Sequence, residues 1–238
     1  MKIITTASQK GGTGKTTTAL ALASFLTEKG KAVLLVDLDT QGNLSDTLNL
    51  EPEASISQVI DGKIAPEKAA IETGIGKAIA SDVNLSKTNK MKSYIPFDKV
   101  LYSFSKKVDY VILDTPPSLS LITISAIQSA DYIIVPVLAD RYSETAAIQL
   151  HEILETTKGE LLAFIVTRWN GRSIINREGL KAIEDLAEEY GTKVYTVREA
   201  VAVREAQYTG EPNLFEYASK SNAAIDYKNI FEEITKNI

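Results

Sequence analysis

Three short stretches hold residues whose types and order suit chemistry on phosphates. The first is Ser8-Gln9-Lys10-Gly11-Gly12-Thr13-Gly14-Lys15-Thr16-Thr17-Thr18, between an apolar run and an alanine-rich helical pattern. A strand, a glycine loop and a helix N-terminus make an anion cradle. Gly11, Gly12 and Gly14 let backbone N–H groups converge without side-chain clashes, and the helix dipole adds positive potential there. In such a cradle Lys15 reaches the β- and γ-phosphates of a nucleotide, the Thr16 hydroxyl binds Mg²⁺ and Thr17 is placed for the α-phosphate. The second stretch is Val36-Asp37-Leu38-Asp39-Thr40-Gln41-Gly42-Asn43. Carboxylates at a strand's end beside such a loop orient water or metal; either aspartate could instead cap a turn. The third is Val111-Ile112-Leu113-Asp114-Thr115-Pro116-Pro117-Ser118. An apolar strand ending in aspartate suits Asp114 to hold Mg²⁺, directly or through a water. The two prolines stiffen the turn that leaves it.

These stretches need a scaffold that brings strand ends together. Near-continuous apolar runs such as AVLLVD, YVILD, YIIVPV and LLAFIVT suit strands buried on both faces of a parallel sheet. The pattern predicts strands at 2–7, 31–37, 109–114, 131–137, 161–167 and 193–197, and a weaker one near Ala78–Ser81. Helical segments are predicted at about 15–29, 97–107, 120–129, 143–158, 176–190 and 219–236. This alternation implies an α/β fold: a single doubly wound, mostly parallel sheet flanked by helices, with ligands at the carboxyl ends of the strands. There is no internal repeat or long linker, so one domain over 1–238 is expected.

Composition removes several alternatives. Of 238 residues none is cysteine and one, His151, is histidine. Disulfides, thiolate zinc sites, iron–sulfur clusters, Cys nucleophiles and multi-histidine metal sites are therefore excluded. No run approaches the roughly 18 apolar residues of a membrane span. The N-terminus lacks a basic n-region and cleavage site, so no signal peptide is expected. The formal net charge of −5 means that any nucleic-acid binding must come from a local patch.

The loop departs from the standard phosphate-loop pattern, because Gln9 stands where that pattern has glycine. In its departure Lys-Gly-Gly-Thr-Gly-Lys-Thr closely resembles the deviant phosphate loop of the ParA/MinD ATPase family. The Asp37–Asn43 and Asp114–Pro117 stretches resemble the two switches of that family, with Thr40 in place of a usual proline. The resemblance implies an ATPase that takes ATP and Mg²⁺. It also implies that Lys10 reaches across a homodimer to the phosphates of the other subunit, as an arginine finger does. Asp39 then matches the residue that positions or activates the attacking water. Thr13 belongs to the same cradle. Asn170, just past the strand at 161–167, matches a residue that helps hold the base, although Asn-Gly also suits a plain turn. The segment Val197–Val203 is expected on the other side of the base. The choice of ATP over GTP rests on the resemblance alone.

Smaller features resemble ParA/Soj-type partition ATPases: Val197-Arg198, Arg204-Glu205-Ala206, Gly210-Glu211-Pro212 and Ser219-Lys220. Such relatives bind DNA without sequence preference as ATP dimers, and a centromere-binding ParB-like partner stimulates their otherwise slow hydrolysis. Arg198, Arg204 and Lys220 are the DNA-binding candidates carried over, with Arg172 and Arg177 beside them. A cytoplasmic, nucleoid-associated location follows, with plasmid, chromosome and protein cluster all open as cargo. From Lys158 onward, however, 11 Lys and Arg face 13 Asp and Glu, and scattered arginines are often solvated or paired. From Lys87 to Lys107 six lysines face one aspartate, which suits a solvated face or an extension of a DNA patch. The alternative is MinD-like membrane association through an amphipathic C-terminal helix. Its apolar stripe (Tyr227, Ile230, Phe231, Ile234, Ile238) has helical spacing, but with Glu232 and Glu233 on the polar face it suits packing on the sheet better.

Overall fold

A computed structural model describes residues 1–87, 94–140, 148, 154 and 157–238. Strands β1 (Lys2–Thr6), β2 (Val33–Asp37), β3 (Ala70–Thr73), β4 (Gly76–Ile79), β5 (Tyr110–Asp114), β6 (Tyr132–Leu138), β7 (Glu160–Trp169) and β8 (Lys193–Arg198) form one sheet in the order β3-β4-β2-β5-β1-β6-β7-β8. Every pairing is parallel except that of β3 with β4. From β1 the chain moves to β2 on one side, and from β5 it crosses to β6 on the other. That reversal opens a crevice at the carboxyl ends of the central strands.

Register decides what meets there. Thr6 pairs with Asp114, and Asp114 with Asp37. Three polar side chains from distant parts of the sequence thus end adjacent strands at one level. All residues of β2 and β5 are buried, which is why these runs are continuously apolar up to their terminal aspartates. One apolar core lies on each face of the sheet.

Helix α1 (Lys15–Glu28) begins at Gly14 and is buried along most of its length. Its small residues Ala19, Ala21 and Ala23 allow close packing against the sheet. Helices α2 (Asn43–Thr47), α3 (Ile56–Ile60), α4 (Pro66–Ala69), α5 (Phe97–Val100), α6 (Leu121–Ser129), α7 (Ile174–Glu189), α8 (Val201–Thr209), α9 (Leu214–Tyr217) and α10 (Asn222–Ile234) complete the described helices, besides short 3-10 turns. The stripe on α10 is spent in the core: Tyr227, Ile230, Phe231 and Ile234 are buried, and the Phe231 ring stacks on Tyr227 at 5.5 Å. No helix among the described residues is long and apolar enough to cross a membrane.

Two expectations change. The helix predicted at 97–107 is α5 followed by a 3-10 turn at Tyr102–Phe104. The hairpin strand β3 and helices α2, α3, α4, α8 and α9 have no counterpart in the predicted pattern. Apart from the nine-residue α8 they are four or five residues long, too short for periodicity to register, and hold their shape through tertiary contacts. Gly76 shows such a contact: at φ 110° its backbone packs so close to β2 that a Cβ would lie 2.6 Å from the Val33 carbonyl oxygen. The helix predicted at 143–158, with His151, falls mostly outside the described residues.

Candidate nucleotide site

The glycine loop runs from β1 into α1 at the crevice. Gly12 and Gly14 have φ of 72° and 90°, left-handed values that favour glycine. The loop is braced from below by β7, where Thr167 donates to the Thr13 carbonyl at 2.8 Å. A Cβ on Gly14 would lie 3.2 Å from the Thr167 methyl. Lys15 is 7% exposed, and its ammonium donates to the Lys10 carbonyl at 3.3 Å. Burial lowers its pKa, and the nearby Asp114 and Asp39 oppose that shift.

Beneath the loop Thr16 donates to an Asp114 carboxylate oxygen at 2.7 Å, and Thr6 to the other at 3.3 Å. Asp114 is fully buried, and desolvation, with the charge of Asp37, raises its pKa to about 7. A hydroxyl and a carboxylate facing each other under a phosphate cradle fit Mg²⁺. Among the described residues no group of three acidic or histidine side chains could hold a metal alone. Mg²⁺ held there would take its remaining ligands from phosphate oxygens and water, as is usual for this ion.

The two aspartates of the second stretch separate in role. Asp37 is fully buried and accepts hydrogen bonds from Asp39 N at 3.0 Å, Ser45 N at 2.9 Å and Ser45 Oγ at 2.7 Å. It ties the turn after β2 to α2. Burial outweighs these bonds and raises its pKa to about 6. Asp39 accepts from Gln41 N at 3.0 Å and lines a cleft of about 650 Å³ with Gly11, Gly12, Gly14, Lys15, Thr16 and Thr17. Pro117 of the third stretch closes the same cleft. The Lys10 ammonium pairs with Asp140, just beyond β6, with both side chains about one-third exposed.

A smaller cleft of about 90 Å³ adjoins the loop between the ends of β7 and β8. Gly14, Thr17, Arg168, Val197, Ala200 and Val203 are among its lining residues. Asn170 does not line either cleft. It is exposed, and its side-chain oxygen accepts from Arg172 N at 3.1 Å, the turn role that Asn-Gly also suited. In its place stands Arg168, which holds φ 51° and lines both clefts. The segment Val197–Val203 does reach this cleft, as the end of β8, a turn and the start of α8 rather than one loop. Gln207 and Tyr208 on α8, and Asn43, Asp46 and Asn49 around α2, also line the larger cleft. Asn43 belongs to the second sequence stretch; no sequence signal marks the other four, because α2 and α8 acquire their positions from packing.

The basic candidates differ in availability. Arg198 is held by Asp226 through Nε at 2.8 Å and Nη2 at 2.6 Å, and its own N–H bonds the same carboxylate. Arg177 donates to the Gly171 carbonyl at 2.9 Å. Arg172, Arg204 and Lys220 are exposed, and Arg204 reaches the smaller cleft. Lys107 in the lysine-rich stretch pairs with Glu67.

Known proteins resemble this chain in sequence and in fold. Residues 1–165 match the family described as AAA domain. Chromosome-partitioning ATPase Soj of Thermus thermophilus is 30% identical over 243 residues, spanning 99% of this chain and 96% of that protein. The ATP complex of a Cyanothece McdA variant superposes with a TM-score of 0.85 at 27% identity, over 98% of this chain and 95% of that one. The cell division ATPase MinD of Pyrococcus furiosus superposes with a TM-score of 0.87 at 28% identity, over 100% and 99%.

Proposed function

As the chain belongs to the ParA/MinD family of deviant phosphate-loop ATPases, we propose that it binds Mg-ATP in the cleft above the Gly11–Thr17 loop and hydrolyses it as a DNA-partitioning switch. The contact between Thr16 and Asp114 carries this reading. It joins two motifs 98 residues apart at 2.7 Å, directly under the loop. Thr16 and Asp114 would hold Mg²⁺, which would supply positive charge to the phosphate oxygens. Lys15 adds a cation already stripped of most of its water, which strengthens its pull on an anion. The loop N–H groups orient the phosphates, and Asp39 on the cleft wall positions the attacking water.

Lys10 acts in trans, across an ATP-bound homodimer. Its ammonium is engaged by Asp140 within the chain, so trans use requires that pair to open. Arg172, Arg177, Arg204 and Lys220, around the carboxyl edge of β7 and β8, contact DNA phosphates without reading bases. Arg198 contributes less, because Asp226 already neutralises it. A ParB-like partner then accelerates hydrolysis and returns the protein to its weak-binding state. The relatives that support this role include partitioning proteins named Soj and ParA.

The test is anisotropy of a labelled random-sequence DNA duplex titrated with the protein under ATP and ADP, at low and moderate salt. Salt-sensitive binding with ATP alone is expected. Equal binding under both nucleotides removes the switch. No binding under either removes DNA from the function.

A further inference from the structure

Helix α8 closes the nucleotide cleft with a side chain that lies outside the phosphate-binding motifs. Gln207 Nε2 donates to Thr17 Oγ1 at 3.0 Å, across 190 residues of sequence. Both residues line the larger and the smaller cleft. A threonine hydroxyl carries one proton and two lone pairs. Once Gln207 donates to a lone pair, the proton is left to be directed elsewhere.

We propose that Gln207 is a positioning residue for the nucleotide: by donating to Thr17 it sets that hydroxyl as a hydrogen-bond donor to the α-phosphate. This rests on the nucleotide reading above and deepens it. A glutamine oxygen in the same place would take the threonine proton and leave only lone pairs facing an anion. The direction of this one hydrogen bond therefore decides whether Thr17 attracts a phosphate or repels it.

The helix that carries Gln207 is itself anchored. It ends at Gly210, which holds φ 71°. The Asn49 carboxamide donates to the Gly210 carbonyl at 3.4 Å, and a Cβ on Gly210 would lie 2.4 Å from that amide nitrogen. Ala206, the preceding residue, is buried. Gln207 thus sits one turn from a fixed end, so the backbone that carries it is held in place beside Thr17.

The experiment measures affinity of the full chain for a fluorescent ADP analogue with Mg²⁺. Thr17→Ala is expected to weaken binding about tenfold, the scale of a hydrogen bond to a charged group. Gln207→Ala alone should weaken it about three- to fivefold, and should add almost nothing on the Thr17→Ala background, since the two act through one hydroxyl. Gln207→Glu should cost more than Gln207→Ala. Repeating it on the Thr17→Ala background removes the reversed hydroxyl and leaves only charge repulsion, so its penalty should shrink. In turnover, Gln207→Ala should raise KM for ATP and leave kcat unchanged, because the contact is equal in ground and transition states. Additive losses in the double variant, or unaltered affinity in Gln207→Ala, overturn the inference while the nucleotide reading stands. No binding by the unaltered chain overturns both. Unchanged thermal midpoints without nucleotide show that each variant remains folded.

Discussion

The two sides of the cleft are built on different terms. On the side of β1, β2 and β5 the polar groups Thr6, Asp37 and Asp114 are buried and in register, and each is bonded inside the protein: Asp114 accepts from Thr6 and from the half-buried Thr16, and Asp37 from Ser45. On the side of β7, β8 and α8 the charged groups are largely exposed, and some are bonded to neighbours while others meet solvent. Burial narrows what a polar residue can do, because an unmet hydrogen bond or charge there costs stability. Exposure leaves its role to a partner molecule. The match of residues 1–165 to a family covers the first side wholly and the second in part.

The largest expected effect is on the buried side. Lys15→Ala should lower ATP hydrolysis at least about a hundredfold, the scale of losing a preorganised charge at a phosphate. Steady-state phosphate release checks this, and near-normal turnover would place the chemistry elsewhere. Asp39→Ala should lower hydrolysis by about a hundredfold as well, if the carboxylate aligns or activates water. Here ATP binding should survive, so equilibrium binding separates the two variants. Comparable turnover in Asp39→Ala and the unaltered chain would remove Asp39 from the mechanism.

A third prediction concerns stability without nucleotide. The folded-state pKa of Asp37 is raised from 3.8 to about 6, so the folded chain binds its proton more tightly than the unfolded chain does. Stability from this group is therefore greatest below about pH 4 and falls as pH rises to about 6, by up to about 3 kcal/mol. Asp37→Asn should remove that slope. Thermal midpoints of the two proteins measured between about pH 3.5 and pH 7 give the difference. Parallel curves would mean that Asp37 ionises freely in the fold.

The smallest effects belong to the exposed side. Arg204→Ala should weaken DNA binding about threefold and reduce the salt slope by about one contact. Arg198→Ala should change it less, because Asp226 already holds that guanidinium. Duplex anisotropy over a salt series compares them. A larger loss at Arg198 than at Arg204 would mean that the Asp226 pair opens for DNA and would reverse the contrast between free and paired arginines.

Much of the buried side was legible before any coordinates. Strand runs, a glycine loop and terminal aspartates occur in order, and each follows from local rules: continuous apolar residues for a strand covered on both faces, glycine for a left-handed turn, an acid at a strand's end. The distinction between Asp37 and Asp39 was not legible. Both end the same apolar run, and only the approach of Ser45 on α2 turns the first into a structural ligand of the turn. On the exposed side Arg168, near the end of β7, and Asn170, just past it, lie two positions apart. The backbone conformation at Arg168 and the bond from Asn170 to Arg172 decide which one lines the cleft.

Sequence alone therefore carried the parallel strands of the sheet, the glycine loop and the chemical types gathered around it, because strand burial and loop conformation are set by residues near one another in the chain. The meeting of Thr16 with Asp114, of Gln207 with Thr17 and of Arg198 with Asp226 needed the folded molecule. These pairs are separated by 98, 190 and 28 residues, and their distances depend on strand register and helix packing that no local pattern encodes. Hydrogen-bond direction and charge neutralisation act over a few ångströms, so the roles that rest on them were decided only once the chain had closed on itself.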